Sequence, residues 1–173
     1  MKKILNNILY RFKEDSLAKR KELTDRHLEY KTLKEIKTCL VFWSAGGNEK
    51  DCLRKLSENL KDVKITKLCF VTEGMDMPAS DETVVLRNED LGFGGKVQNE
   101  RLHALLSQKY DLLVDLNTTS TALFNYVLTN TQASCIVGMK KEGSMADITI
   151  DEISGPVDFI DKFTEVLLHI NKY

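Results

Sequence analysis

Six short apolar runs, set apart by helical stretches or polar loops, limit what this chain can become. They are Thr38–Trp43 (TCLVFW), Val63–Val71, Thr83–Leu86, Tyr110–Leu116 (YDLLVDL), Ala133–Val137 and Asp147–Ile150. A continuous apolar run of this length marks a strand covered on both faces, as in a parallel sheet. Helical spacing falls over Glu49–Leu60, Val97–Gln108, a segment from the Asn117–Thr119 turn through Leu128, and Pro156–Ile170, where Pro156 and Asp158 suit a first turn. Strands alternating with helices imply βαβ units. The expected fold is therefore α/β, a Rossmann-like three-layer α/β/α arrangement with a mainly parallel sheet of five or six strands in the order 3-2-1-4-5-6 or a near relative.

Residues 1–34 form a leading basic segment ahead of the domain over 35–173. Lys2 to about Leu33 holds no Pro or Gly, and Ile4, Leu5, Ile8, Leu9 and Phe12 fall on one helical stripe. That stripe is dense only over three turns, so the turns to Tyr30 read as a solvated helix or a connector. The segment carries ten Lys/Arg against five Asp/Glu, a charge of +5 that leaves −6 for the remainder of a chain whose net charge is −1. Acids are interleaved with the bases and the domain is acidic, so no nucleic acid partner is expected.

Cys39, Cys52, Cys69 and Cys135 form no paired ligand motif, and three lie in apolar runs where a free thiol behaves as a small hydrophobe. His27, His103 and His169 lie far apart, so no metal is expected. This cysteine usage fits a reducing, cytoplasmic compartment. No window nears the ~20 apolar residues of a bilayer span, and no cleavable leader pattern appears. With Lys2, Lys3, Arg11 and Lys13 beside it, the leading stripe fits either an anionic membrane surface, peripheral at the inner membrane, or docking on the domain, a second copy or another protein through residues 1–14.

In an open parallel sheet ligands bind beyond the strand carboxyl ends, where the strand order reverses. Three segments are expected to meet there. Ser44, Gly46, Gly47 and Asn48 follow the first strand and precede a helix whose N–H groups can hold an anion, with Asn48 as its cap. Gly92, Gly94, Gly95 and Lys96 form a glycine-rich loop able to cradle phosphate, although Val97 stands where a triphosphatase needs Ser or Thr. Asn117, Thr118 and Thr119 follow the fourth strand, and Asn117 or Thr118 is positioned to cap the next helix. Asp115, at the end of that strand, is the candidate catalytic base for a hydroxyl proton. No dinucleotide fingerprint, nucleophile elbow or nucleophile–base pair is present, and no cofactor is expected.

The run from Tyr110 to Met139, YDLLVDLNTTSTALFNYVLTNTQASCIVGM, resembles part of the amino-terminal half of heptosyltransferase-type glycosyltransferases of the GT-B fold. There a YDLVIDL strand, an RSALLA helix and a strand ending in IG succeed one another. The resemblance implies a Rossmann-like half domain and a sugar-like or phosphorylated ligand. TTSTALF lacks the arginine of the RSALLA form, and a second domain would be needed to hold a nucleotide-sugar donor. The whole chain also resembles a group of small uncharacterised bacterial proteins. The first functional reading is a non-enzymatic or degenerate Rossmann-like domain binding a small phosphorylated or sugar-like ligand, or a protein partner. The alternatives are a small enzyme acting on a phosphorylated or glycosylated metabolite, and a membrane-surface protein anchored by the leading helix.

Overall fold

The computed structural model describes residues 2–19, 26–77 and 80–170. Among them six strands form one sheet: β1 (Thr38–Ser44), β2 (Lys64–Val71), β3 (Thr83–Arg87), β4 (Lys109–Asp115), β5 (Gln132–Met139) and β6 (Ile148–Ile150). Their order is β3-β2-β1-β4-β5-β6, and every neighbouring pair runs parallel. This is the order expected from the alternation of apolar runs and helical stretches. The helices are α1 (Lys2–Lys19), α2 (Glu49–Asn59), α3 (Glu100–Leu106), α4 (Ala122–Asn130) and α5 (Pro156–His169).

The period-two alternation of β1 shows why its apolar run is continuous. Cys39, Val41 and Trp43 enter one core with Cys52 and Leu56 of α2 and Phe159, Phe163 and Leu167 of α5. Leu40 and Phe42 enter the other with Leu102 and Leu105 of α3 and Leu123, Phe124 and Val127 of α4. Each face of the strand thus meets a helical layer, so its five buried positions are apolar and the polar Thr38 and Ser44 stand only at its ends. Phe124 seals the second core edge-on against Phe42 and Phe70, with ring centroids 5.3 and 5.0 Å away, a geometry favoured by the aromatic quadrupole.

Two helix starts differ from the sequence expectation. α3 begins at Glu100 rather than near Val97, because the Asn99 side chain accepts the Leu102 N–H and fixes the N-cap there. α4 begins at Ala122 with Thr121 as its cap, accepting from Phe124 N–H, so neither Asn117 nor Thr118 caps it. In each case a polar side chain slightly later in the chain takes the orphan amide.

The leading segment has two parts. α1 lies against the glycine-rich loop after β3 and against α4, burying Leu17 in the second core. Residues 26–37 are not helical; they form an irregular strap over the domain with a turn at 33–35. The Arg26 guanidinium forks onto both carboxylate oxygens of Asp147 at 2.7 and 2.9 Å and also reaches the Ala133 carbonyl. Glu29 N–H donates to the Ser134 carbonyl, Lys31 to Asp111, and Leu33 N–H to the Leu167 carbonyl. The Glu29 and Leu33 amides are used in tertiary bonds that a helix would need for itself, so of the two readings, solvated helix or connector, residues 26–33 take the connector.

Candidate binding crevice at the strand switch point

After β1 the chain turns to the α2 side of the sheet, and after β4 to the α4 side. The two loops diverge and open a crevice, as open parallel sheets do at the point where strand order reverses. A cavity of 290 Å³ occupies it, lined by Trp43, Ser44, Gly46, Gly47, Asn48 and Glu49 from one side and Leu116, Asn117, Thr118 and Thr119 from the other. Cys52 and Leu53 of α2 and Pro156, the first residue of α5, complete the wall. Two of the three segments expected to converge do so.

The β1 loop is held from several directions. Ala45 N–H donates to the Phe70 carbonyl of β2 at 2.8 Å. Gly46 has φ +106°, conformational space that side chains with a Cβ rarely enter, and a Cβ there would stand 2.8 Å from Met75 Cε. Its N–H donates to Glu49 Oε1 at 2.6 Å. Gly47, by contrast, has only open space where a Cβ would project. Asn48 occupies the cap position of α2 without a side-chain bond to the helix. Asn48 thus stands at the expected cap position with its carbonyl accepting from Cys52 N–H, while the Glu49 carboxylate reaches back to hold the loop.

Electrostatics at this helix start disfavour an anion. Glu49 and Asp51 already place two carboxylates in the first turn of α2, where they complement the positive end of the helix dipole. The lining contains this acid and no Lys or Arg. The remaining polar groups are hydroxyls and carboxamides, set beside the apolar surfaces of Trp43, Leu53, Leu116 and Pro156.

Asp115 ends β4, as expected, but it is buried and paired. The carboxylate is 1% exposed and lies behind the crevice wall. Its Oδ1 accepts from the N–H of Asn117 at 3.1 Å and from the Asn117 side-chain Nδ2 at 2.8 Å. Its Oδ2 accepts from Lys141 Nζ at 2.5 Å, and the Lys141 side chain is only 5% exposed. Lys141 also donates to the Asn117 carbonyl. Asp115 thus has both carboxylate oxygens engaged by donors and does not line the cavity, an arrangement suited to a structural anchor. It orients Asn117, whose Oδ1 accepts the Ser44 hydroxyl at 2.5 Å. A polar chain Lys141–Asp115–Asn117–Ser44 therefore runs from the β5–β6 connection to the rim of the crevice. Charge-assisted bonds at its far end fix the amide at its near end.

The glycine-rich loop lies elsewhere. Residues Phe93–Gly95 form a single tight turn, Gly92 N–H donates to the Lys96 carbonyl at 2.7 Å, and Leu91 bridges Val97. Gly95, at φ +75°, packs so closely on α1 that a Cβ would stand 2.4 Å from Leu17 N. Gly95 is thus a seat for the leading helix, and none of Gly92, Gly94, Gly95 and Lys96 lines the crevice. The glycine density read as a phosphate cradle serves, at Gly95, the close approach of the chain's own helix.

Lys141 and Glu49 were not singled out from the sequence, and Pro156 was read only as suited to the first turn of its helix. Lys141 sits in KKEGSMA (140–146), a defined turn in which Ser144 N–H donates to the Lys141 carbonyl and Gly143 has φ +71°. The only signals available were a lysine pair before that turn and an acid directly after a helix cap. All four cysteines are buried and unpaired. Burial pushes the Cys69 and Cys135 thiols up to about 12 and raises Cys39 further, so none of these three is a thiolate near neutral pH. Among the described residues no group of three or more His, Cys, Asp or Glu is arranged to hold a metal, and no helix is long and apolar enough to cross a membrane.

No curated protein and no solved structure matches the chain. A family model matches residues 6–169, which takes in the strap, the whole sheet and both crevice loops, and the chain belongs to that family, described as a family of unknown function (DUF6913).

Proposed function

We propose that this protein is a non-catalytic Rossmann-like binding domain whose crevice between the β1 and β4 loops takes a small, uncharged, polyhydroxylated ligand of sugar-like chemistry. The observation that carries the reading is the lining itself: Ser44, Thr118, Thr119 and Asn48 against Trp43, Leu53 and Leu116, with Glu49 the one charged side chain. Hydroxyls and amides exchange hydrogen bonds with a sugar's hydroxyls, and the apolar wall covers its C–H face. A phosphorylated ligand fits less well, because Glu49 takes the Gly46 N–H that a phosphate would want and Lys141 is spent on Asp115. The volume of 290 Å³ is near the lower end of ligand sites, which run from about 300 Å³, and suits one ring rather than a dinucleotide.

The test is a thermal-shift screen of monosaccharides and nucleosides beside their phosphates, repeated on Gly47→Trp. That variant fills open space at the crevice and leaves the buried network untouched. A ligand at a hundred times its dissociation constant stabilises by about 2.7 kcal/mol. The reading expects a shift with a neutral compound that Gly47→Trp abolishes while the unliganded melting temperature stays unchanged. Stabilisation by phosphates alone, or a shift that survives Gly47→Trp, contradicts it.

A further inference from the structure

A second cavity, of 330 Å³, lies beneath α1 at the carboxyl ends of β2 and β3 and shares no residue with the crevice. One of its walls is a face of α1, where Asn6, Tyr10 and Lys13 recur at helical spacing. The other is made by the strand ends: Val71 and Arg87 are register partners on β2 and β3, and Glu73 and Glu89 lie just beyond them. The turn that carries Glu89 is pinned, because Asp90 Oδ2 accepts from Arg87 N–H at 2.8 Å and from Asn99 Nδ2 at 3.0 Å. The helical wall is seated on Gly95. Both sides of the groove are therefore held by packing and hydrogen bonds.

Four charges converge on this gap without satisfying one another. Lys13, Glu73, Arg87 and Glu89 make no ion pair with any described residue. Among the described residues the Arg87 guanidinium makes one bond, a long one of 3.4 Å to the Met75 carbonyl, and the Lys13 ammonium rests 4.9 Å from the Phe93 ring centre. Depth sorts the charges by sign: Lys13 and Arg87 are half-buried, whereas Glu73 and Glu89 are exposed. The inner part of the groove thus favours an anion and its mouth a cation. A simple anion meets the two acids at the mouth, and a simple cation meets the two bases below them. A molecule bearing both charges satisfies all four. A guanidinium takes a carboxylate through two parallel bonds, while Leu9, Tyr10 and Val71 offer apolar surface to a side chain. The volume stands just above the lower end of ligand sites, about 300 Å³, and suits a free amino acid better than a peptide.

We infer that the groove between α1 and the ends of β2 and β3 is a second binding site, one that takes a zwitterionic α-amino acid with its carboxylate on Arg87 and Lys13 and its ammonium at Glu73 and Glu89. This site is independent of the crevice and of the ligand proposed for it.

The experiment is isothermal titration calorimetry of the full chain with the proteinogenic α-amino acids and with their N-acetyl and carboxamide forms, the site being mapped by nitrogen-15 amide spectra. Saturable binding of at least one free amino acid is expected, with amide shifts at Asn6–Lys13 and Arg87–Glu89 and none at Ser44–Glu49. Blocking either end should weaken binding about tenfold or more, the size of one lost charge-assisted bond. Arg87→Met should do the same with unchanged circular dichroism. Glu73→Gln/Glu89→Gln, at two exposed positions, should weaken the free amino acid while leaving its N-acetyl form bound as tightly or more so, a contrast that misfolding cannot produce. A native chain that binds no free amino acid overturns the inference. An N-acetyl form that binds as well as the free one marks a plain anion site and overturns it too, as does binding unaffected by Arg87→Met or shifts centred on Ser44–Glu49.

Discussion

The buried pair between Lys141 and Asp115 gives the sharpest stability prediction. Lys141→Met keeps an aliphatic stem of similar length in the same channel but removes the ammonium 2.5 Å from Asp115 Oδ2. The carboxylate, 1% exposed, then faces only the two Asn117 donors on its other oxygen. Removing one partner of a buried pair costs about 3–5 kcal/mol, since the remaining charge is left in a poorly solvating site. Against a total stability of about 5–15 kcal/mol for an ordinary domain, the loss is large, and at roughly 2–4 °C per kcal/mol for a chain of this size it lowers the melting temperature by about 6–20 °C. Urea unfolding followed by circular dichroism at pH 7 should show the midpoint falling with an unchanged slope. In Asp115→Asn/Lys141→Met the amide oxygen still accepts from Asn117 and no charge is stranded, so the double variant should be more stable than Lys141→Met alone. A loss below about 1 kcal/mol for Lys141→Met, or a double variant worse than the single, would refute the buried pair as the anchor of the crevice wall.

Other perturbations follow from the same reasoning. Burial alone would raise the Asp111 carboxyl, but the Lys31 ammonium and the N–H groups of Lys37 and Thr38 outweigh it and hold it below its ordinary value. A depressed folded-state value contributes stability above the unfolded value of about 3.9 that fades as pH falls through the folded one. Asp111→Asn should therefore be less stable than the native chain at pH 7, with the gap in urea midpoint closing as pH is lowered below about 4; a gap constant with pH would refute the assignment. Gly95→Ala must hold a side chain at φ +75° and within 2.4 Å of the Leu17 backbone, so about 1–3 kcal/mol of strain is joined by a backbone clash. Hydrogen exchange should show faster exchange at Leu17 and its neighbours in α1, with α5 amides unchanged, and equal protection in both proteins would count against the packing of α1 on this loop.

The sheet was legible in the sequence because its strands are buried on both faces: TCLVFW and YDLLVDL leave few polar positions, and the helices between them force the crossovers. From that order alone the crevice between the β1 and β4 loops follows, and with it Ser44, Gly46, Gly47, Asn48, Asn117, Thr118 and Thr119. Pairwise tertiary choices were not legible. Asp115 carries the same sequence signal whether it faces solvent or a lysine, and Lys141 lies twenty-six residues further on in a loop with no periodicity. GFGGK announces close backbone contact without naming the partner, which is Leu17 of α1. Beyond the third turn the sequence left a solvated helix and a connector both open up to Tyr30, and what decides for a connector over 26–33 is that Arg26, Glu29 and Lys31 find partners on β4, β5 and the segment leading to β6.

The central claim is that the β1 and β4 loops form one ligand site. Nitrogen-15 amide spectra of the native chain, titrated with the neutral compound that gives the largest thermal shift, test it most directly. The account predicts saturable shifts at Ser44–Glu49 and Leu116–Thr119, with the glycine-rich loop at 92–96 unaffected. Shifts centred on that loop or on Asn6, Asn7 and Arg87, which line a separate groove beneath α1, with the crevice amides silent, would contradict it.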